Sequence, residues 1–277
     1  MLRKTSKGRD AEAERRDKLL DSRLHEGTKG VGSEPLPDRA RGPGLLPRLF
    51  PLSLGLVMIS VVIPCYNEAK TVEWTYKEVK EELEKLGVEY ELIFSEDGST
   101  DGTKEILREL EKKDEKVKVL TSKRRLGKGL GLRRGFQVAK GEEILVLDAD
   151  LAAGAEVIRD LLNAEGDVVI ADAYKRGFSK RDVMSFLYRC LVALLFGMNL
   201  NYIQSGFKKL RREVLEEIDL KLTGFAMDTE LVYKAKRKGF RVVEISAKWN
   251  QRRERRVGFP HAFKMFLDLI RVRFLED

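Results

Sequence analysis

The chain has 277 residues, 53 Lys and Arg against 45 Asp and Glu, a net charge of +8 and 43% hydrophobic residues. This excludes a disordered chain and allows one large domain or two small ones. Two cysteines, Cys65 and Cys190, without metal-ligand spacing, exclude a disulfide scaffold and a structural zinc site and suit a reducing, intracellular compartment. No stretch reaches the roughly 18–20 uninterrupted apolar residues of a membrane span, and the charged N-terminal region lacks the apolar block of a secretory signal. The expected protein therefore at most lies on a membrane.

Residues 1–57 combine interspersed charge, a Gly/Pro-rich stretch from Gly30 to Pro47 and no sustained apolar period, which reads as a disordered or dispensable extension. A short charged helix over Ala11–Leu24 is its one regular feature, and Met58 is a plausible start of the functional polypeptide. From there β and α signals alternate. Ile59–Ile63 is a β-branched run of the kind buried on both faces of a parallel sheet, ended by Pro64. Val72, Tyr76, Val79, Leu83 and Leu86 recur at helical spacing up to Gly87. Tyr90–Phe94 predicts a strand, Asp97–Gly102 a turn, and Thr103 the cap of a helix burying Ile106, Leu107 and Leu110. Val117–Thr121, Glu143–Asp148, Asp167–Ala171 and Arg241–Ser246 complete the expected strands, with a glycine-rich helix start at Gly127–Gly135 and an apolar helix over Val183–Leu200. Such alternation predicts an α/β fold with a mostly parallel sheet flanked by helices, whose ligands bind at the carboxyl ends of the strands.

The polar motifs fall just after strands. Asp148-Ala149-Asp150 follows an apolar strand, where two carboxylates one residue apart can both reach a hard divalent cation completed by phosphate oxygens and water, although Asp at a strand end is also ordinary turn chemistry. Pro64-Cys65-Tyr66-Asn67-Glu68 puts an aromatic ring and a carboxylate at the same edge, able to contact a base and ribose, and is otherwise a Pro/Asn turn. Asp97, in Ser95-Glu96-Asp97-Gly98-Ser99-Thr100-Asp101-Gly102-Thr103, can accept hydrogen bonds from a base or ribose.

Seven segments, VVIPCYNE, EDGSTDGT, RRLGKGLGLRRG, LVLDADL, QSGFKKLRR, GFAMDTEL and VVEISAKWNQR, stand in an order that resembles the family 2 glycosyltransferases, in particular the dolichol-phosphate mannosyltransferase and dolichyl-phosphate glucosyltransferase group. The likeness runs from Ile59 to about Arg256 and implies the GT-A fold over residues 58–256. It implies an inverting, metal-dependent enzyme moving mannose from GDP-mannose or glucose from UDP-glucose to dolichyl or polyprenyl phosphate. By the same resemblance Pro64, Tyr66, Glu68 and Asp97 would contact the nucleotide, with Ala149 beside it. Asp148 and Asp150 would hold Mg²⁺ or Mn²⁺ on the donor diphosphate. Ser205-Gly206-Phe207-Lys208 and Phe225–Glu230 would line the acceptor side, with Asp228 the base where the acceptor is a hydroxyl. Trp249 and Arg252 match a late W-x-x-R whose Arg approaches the phosphates, with Arg255 or Arg256 as a second cation.

Departures from the family pattern accompany the likeness. Ala152 stands where many mannose enzymes have Gln, Asp172-Ala173-Tyr174 where Gly-Ser-Arg is common, with Lys175 or Arg176 as a shifted cation, and Tyr202 where Asp is usual. They leave the donor open, and they support a rival reading as a non-catalytic nucleotide-sugar-binding scaffold. A third reading is transfer to another lipid or a glycan hydroxyl.

The basic run Lys123, Arg124, Arg125, Lys128, Arg133 and Arg134 has no interleaved aromatics, so no nucleic acid is expected as a partner. The helix over Val183–Leu200 and a basic amphipathic helix in residues 257–277 are the expected contacts with a membrane surface, on the cytoplasmic face.

Overall fold

The computed structural model describes residues 57–172, 180–198, 200, 203–224, 226–247 and 259–274, with side chains in the helices over 180–196 and 259–274 described from 186 and from 267. The expectations for residues 1–56, and for Lys175, Arg176, Tyr202, Phe225, Trp249, Arg252, Arg255 and Arg256, lie outside the described residues.

Seven strands form one sheet: β1 (Ile59–Cys65), β2 (Tyr90–Glu96), β3 (Val117–Leu120), β4 (Glu143–Val146), β5 (Val168–Asp172), β6 (Lys208–Arg211) and β7 (Val242–Ser246), in the order β3-β2-β1-β4-β6-β5-β7. All pair in parallel except β6, which runs antiparallel to both β4 and β5. The helices are α1 (Val72–Leu86), α2 (Thr103–Lys113), α3 (Lys128–Val138), α4 (Val157–Asn163), α5 (Lys180–Phe196), α6 (Arg212–Glu217), α7 (Met227–Arg237) and α8 (Phe259–Phe274).

The side-chain alternation of a strand splits the core in two. Ile59, Val61 and Ile63 point to one face, where they meet Val79 and Leu83 of α1, Leu107 of α2 and Leu161 of α4. Val62 points to the other, with Ile144, Val168 and Ile170, against Leu132 of α3, Val192 of α5, Leu231 of α7 and Leu269 of α8. Both faces are covered, which is why β1 is apolar at nearly every position; each fully buried Val or Ile contributes about 1.5–3 kcal/mol.

Several boundaries differ from expectation. β1 does not end at Pro64: Pro64 and Cys65 still pair with Ser95 and Glu96, so β1 and β2 reach the carboxyl edge together. Thr103 is the first residue of α2 and not its cap. The Asp101 carboxylate takes the capping role, accepting the Thr103 N–H (3.1 Å) and hydroxyl (2.5 Å). β4 stops at Val146, and the chain then turns through Asp148, whose carbonyl accepts the Leu151 N–H at 3.0 Å. β6 was not among the expected strands, because Lys208-Lys209-Leu210-Arg211 reads as exposed. Lys208 and Lys209 are in fact buried and point to opposite faces, Lys209 Nζ donating to the Ala164 carbonyl at 2.7 Å.

Candidate active site

β1 pairs with β2 on one side and β4 on the other, so their following loops lie side by side at the point where the sheet's connections change direction. On the β1/β2 side, turn residues act as mutual acceptors. Ser99 Oγ accepts the Asn67 N–H (3.0 Å), Asn67 Oδ1 the Thr100 N–H (2.9 Å), Asp101 Oδ2 the Ala69 N–H (3.1 Å) and Thr103 Oγ1 the Glu68 N–H (2.7 Å). Glu68 is buried, its Oε2 accepting the Thr71 hydroxyl at 2.8 Å. Tyr66 is half-buried at the loop's rim with the Arg125 guanidinium 4.2 Å from its ring centre. Asp97 is buried with both oxygens engaged, Oδ1 by the Leu126 N–H (2.6 Å) and Oδ2 by the Gly127 N–H (2.9 Å). It thereby holds the start of α3. Ala149 turns into the core, and its carbonyl accepts the Thr75 hydroxyl at 2.6 Å.

The turn after β4 carries Asp148 and Asp150. Leu151 follows with φ of 42°, a left-handed conformation that costs a non-glycine residue about 1–2 kcal/mol. Burial, and then the neighbouring Asp148 charge, hold the Asp150 carboxyl above its ordinary range. The Asp148 side chain is 36% exposed, and its Oδ1 accepts from Lys128 Nζ at 2.8 Å. Burial would discharge Lys128, but Asp148, Asp228 and Asp150 together hold its ammonium well above the ordinary lysine range.

The acceptor-side segments arrive at the same place. The antiparallel pairing of β6 with β4 sets Lys208 opposite Val146, and the turn before it brings Gly206 against Asp148: a Cβ on Gly206 would lie 1.8 Å from Asp148 Oδ2. Lys208, 1% exposed, donates from Nζ to the Ser205 carbonyl and to Asp228 Oδ1, the latter at 2.9 Å. Burial pushes its ammonium down, opposed by Asp228 and reinforced by Lys128. Asp228 is buried in the first turn of α7, and Thr229 beside it bonds the Tyr188 hydroxyl of α5 at 2.6 Å. Glu230 is turned away, accepting the N–H groups of Lys221 (2.8 Å) and Leu222 (2.9 Å) and so fixing the loop that leads into α7.

The structure thus gathers Asp148, Asp150 and Asp228 with two lysines. Lys128 appeared in the sequence as part of a basic run and Lys208 as the end of a motif, and neither pairing was legible there. Among the described residues no three His, Cys, Asp or Glu side chains converge as a metal-holding group. The carboxylate pair nonetheless fits a hard cation that takes its remaining oxygens from phosphate and water, because the two crowded negative charges already demand a counterion, at present an ammonium.

Residues 60–218 match the model of the family described as glycosyl transferase family 2. The chain belongs to that family. Among its family 2 relatives it is 34% identical over 214 residues to glycosyltransferase AglD of Haloferax volcanii, covering 73% of this chain and 34% of that protein. It is 34% identical over 191 residues to the dolichol-phosphate mannosyltransferase of Pyrococcus furiosus, covering 64% of this chain and 53% of that protein. The chain therefore spans about a third to about half the length of these relatives. Glucosyl-3-phosphoglycerate synthase from Mycobacterium tuberculosis, solved with Mn²⁺, UDP and phosphoglyceric acid, superposes with a TM-score of 0.62 at 23% identity, covering 78% of this chain and 77% of that one. The family 2 chain thus has the expected GT-A-like α/β fold.

Proposed function

We propose that the chain is an inverting hexosyltransferase that moves mannose from GDP-mannose or glucose from UDP-glucose to a polyprenyl phosphate such as dolichyl phosphate, with residues 58–256 as the catalytic domain. The observation that carries this reading is the convergence of Asp148, Asp150, Lys128, Lys208 and Asp228 at the carboxyl edge of the sheet. Asp148 and Asp150 would hold Mg²⁺ or Mn²⁺, which would stabilise negative charge on the departing nucleoside diphosphate. Tyr66 offers a ring at the rim for the base, and Asp97 keeps the α3 start in place beside it. An acceptor phosphate oxygen would form the new bond to the anomeric carbon on the face opposite the leaving diphosphate, inverting that carbon. Cationic positioning suits such an acceptor, which is already an anion and needs no base.

The commitment of Asp228 Oδ1 to Lys208 favours the phosphate acceptor over a hydroxyl one. If a hydroxyl were the acceptor, Asp228→Asn would nearly abolish turnover while sparing donor binding.

Attachment to a membrane surface on the cytoplasmic side belongs to the same reading. Among the described residues no helix is long and apolar enough to cross a membrane. α5 and α8 pack together, Arg273 Nε donating to the Leu195 carbonyl at 2.8 Å, and they expose Phe186, Leu187, Leu194, Leu267 and Phe274. Such an apolar, cation-flanked surface fits a lipid interface from which a polyprenyl phosphate is drawn.

Calorimetric titration of GDP and UDP, each with and without Mn²⁺, against wild type and Asp150→Ala tests the donor site. Metal-dependent binding of one nucleotide, lost in the variant, is the expected result, followed by transfer of the matching sugar to a short polyprenyl phosphate. Binding of neither nucleotide would remove the donor-site reading, and binding without transfer would move the scaffold reading to the front.

A further inference from the structure

Lys128 occupies the first position of α3, where the partial positive charge of a helix start disfavours a cation. Its side chain is largely withdrawn from water, its ammonium lies 2.8 Å from Asp148 Oδ1, and Asp228 and Asp150 also act on it. The surroundings fix it there. Asp97 pins the preceding Leu126 and Gly127 through their N–H groups. Gly129 lies so close to the next loop that a Cβ would come within 2.7 Å of the Gly224 carbonyl oxygen and 2.8 Å of that of Thr223. A lysine is thus held against helix polarity and burial on one of the two carboxylates that fit a cation.

We propose that Lys128 is the resident counterion of the Asp148/Asp150 pair, neutralising Asp148 in the free protein and yielding it to a divalent cation when the phosphates of a nucleoside diphosphate take up the ammonium. The inference rests on the donor-site reading given under the proposed function. A cation arriving alone must displace an ammonium already seated, and a nucleotide arriving alone meets an ammonium already engaged. Together each releases the other's competitor. By linkage, the factor by which nucleotide tightens the cation equals the factor by which the cation tightens nucleotide. Lys128 supplies much of that factor.

The test is calorimetric binding of Mn²⁺ to the full-length protein, alone and with saturating GDP or UDP, in wild type, Lys128→Met, Lys128→Gln, Lys128→Arg, Asp150→Ala and Lys236→Met. In both neutral variants Mn²⁺ alone should bind about tenfold more tightly while nucleotide with Mn²⁺ binds more weakly, collapsing a coupling of the usual order, roughly 5- to 150-fold. Having two neutral variants keeps the test intact if one fails to fold. Lys128→Arg should follow wild type. Lys236→Met removes an exposed charge from the last turn of α7 and should change neither affinity. Unchanged or weaker Mn²⁺ binding in the neutral Lys128 variants would overturn the proposal. So would equal tightening with and without nucleotide, since the lysine would then be a background charge that is never handed over. Failure of the donor-site reading itself has a different signature, Mn²⁺ and nucleotide binding alike to wild type and Asp150→Ala, and it would remove the proposal as well.

Discussion

Gly206 faces Asp148 so closely that a methyl group on its Cα would lie 1.8 Å from Oδ2 and 2.1 Å from Cγ. No side chain fits there unless the carboxylate swings aside. Gly206→Ala should therefore cost little stability, because the clashing atoms end a short rotatable side chain, and much function. Displacement by about 1 Å at a reacting centre costs on the order of 10²-fold. The expected outcome is a near-normal melting temperature with Mn²⁺-dependent nucleotide binding and turnover both severely reduced, checked by thermal melts and calorimetry.

The Lys208–Asp228 pair is buried on both sides, with side chains 1% and 6% exposed. Removing one member leaves the other charge without compensation, which costs about 3–5 kcal/mol. Lys208→Met should lower the urea midpoint accordingly, and Lys208→Met with Asp228→Leu should recover most of that loss while remaining inactive. A loss in the double variant equal to the summed losses of Lys208→Met and Asp228→Leu alone would show that the pair is not coupled.

Asp97 holds two backbone N–H groups at once. Asp97→Ala leaves both without their acceptor, at about 1–3 kcal/mol for each group that stays buried, and frees the start of α3. Nucleotide affinity and melting temperature should fall together in Asp97→Ala, with Asp97→Asn intermediate because it retains one acceptor oxygen. A variant that lost affinity with an unchanged melt would instead mark Asp97 as a direct nucleotide contact.

On the sheet's far side Asp114 accepts from Lys80 Nζ (2.6 Å) and the Tyr76 hydroxyl (2.7 Å). Burial raises its carboxyl, but the Lys80 and Tyr76 bonds and the Lys116 N–H outweigh that and hold it below its ordinary value of 3.8. A depressed folded-state pKa adds stability that is present above the unfolded value and lost as pH falls through the folded one. Asp114→Asn should lose stability at pH 6 and flatten the acid limb below about pH 4, measured as urea midpoints across that range.

Leu194 and Phe274 are 82% and 65% exposed, on α5 and α8. Wild type should float with anionic liposomes at low salt, and Leu194→Ser with Phe274→Ser should sediment free. Surface changes of this kind alter stability by no more than about 0.5 kcal/mol, so an unchanged unfolding midpoint would tie the loss to the surface and not to the fold.

Period and punctuation made much of the fold legible. The β-branched runs of β1 and β5, the helical spacing of α1 and the αL glycine at 87 (φ 65°) that ends it are local signals, set by backbone sterics and by which faces must be buried. The carboxylates Asp148 and Asp150 were legible for the same reason, since they follow an apolar strand directly. β6 was not: two lysines in a four-residue strand resemble surface until one knows that each has its own acceptor inside the fold, Asp228 or the partly buried Ala164 carbonyl.

The sequence by itself determined an alternating α/β chain and family 2 membership, and it pointed to the carboxyl edge as the candidate site, because those depend on short-range pattern and on motif order. Only the tertiary structure decided which charges meet. Lys128 and Asp148 are 20 residues apart, as are Lys208 and Asp228. The second pair closes through the sheet order, in which β6 inserts antiparallel between β4 and β5 and carries Lys208 and Gly206 to the end of β4. No local propensity encodes that insertion. It follows from burying both faces of the sheet at once, and that packing seals the Lys208–Asp228 pair from water while leaving Asp148 partly exposed.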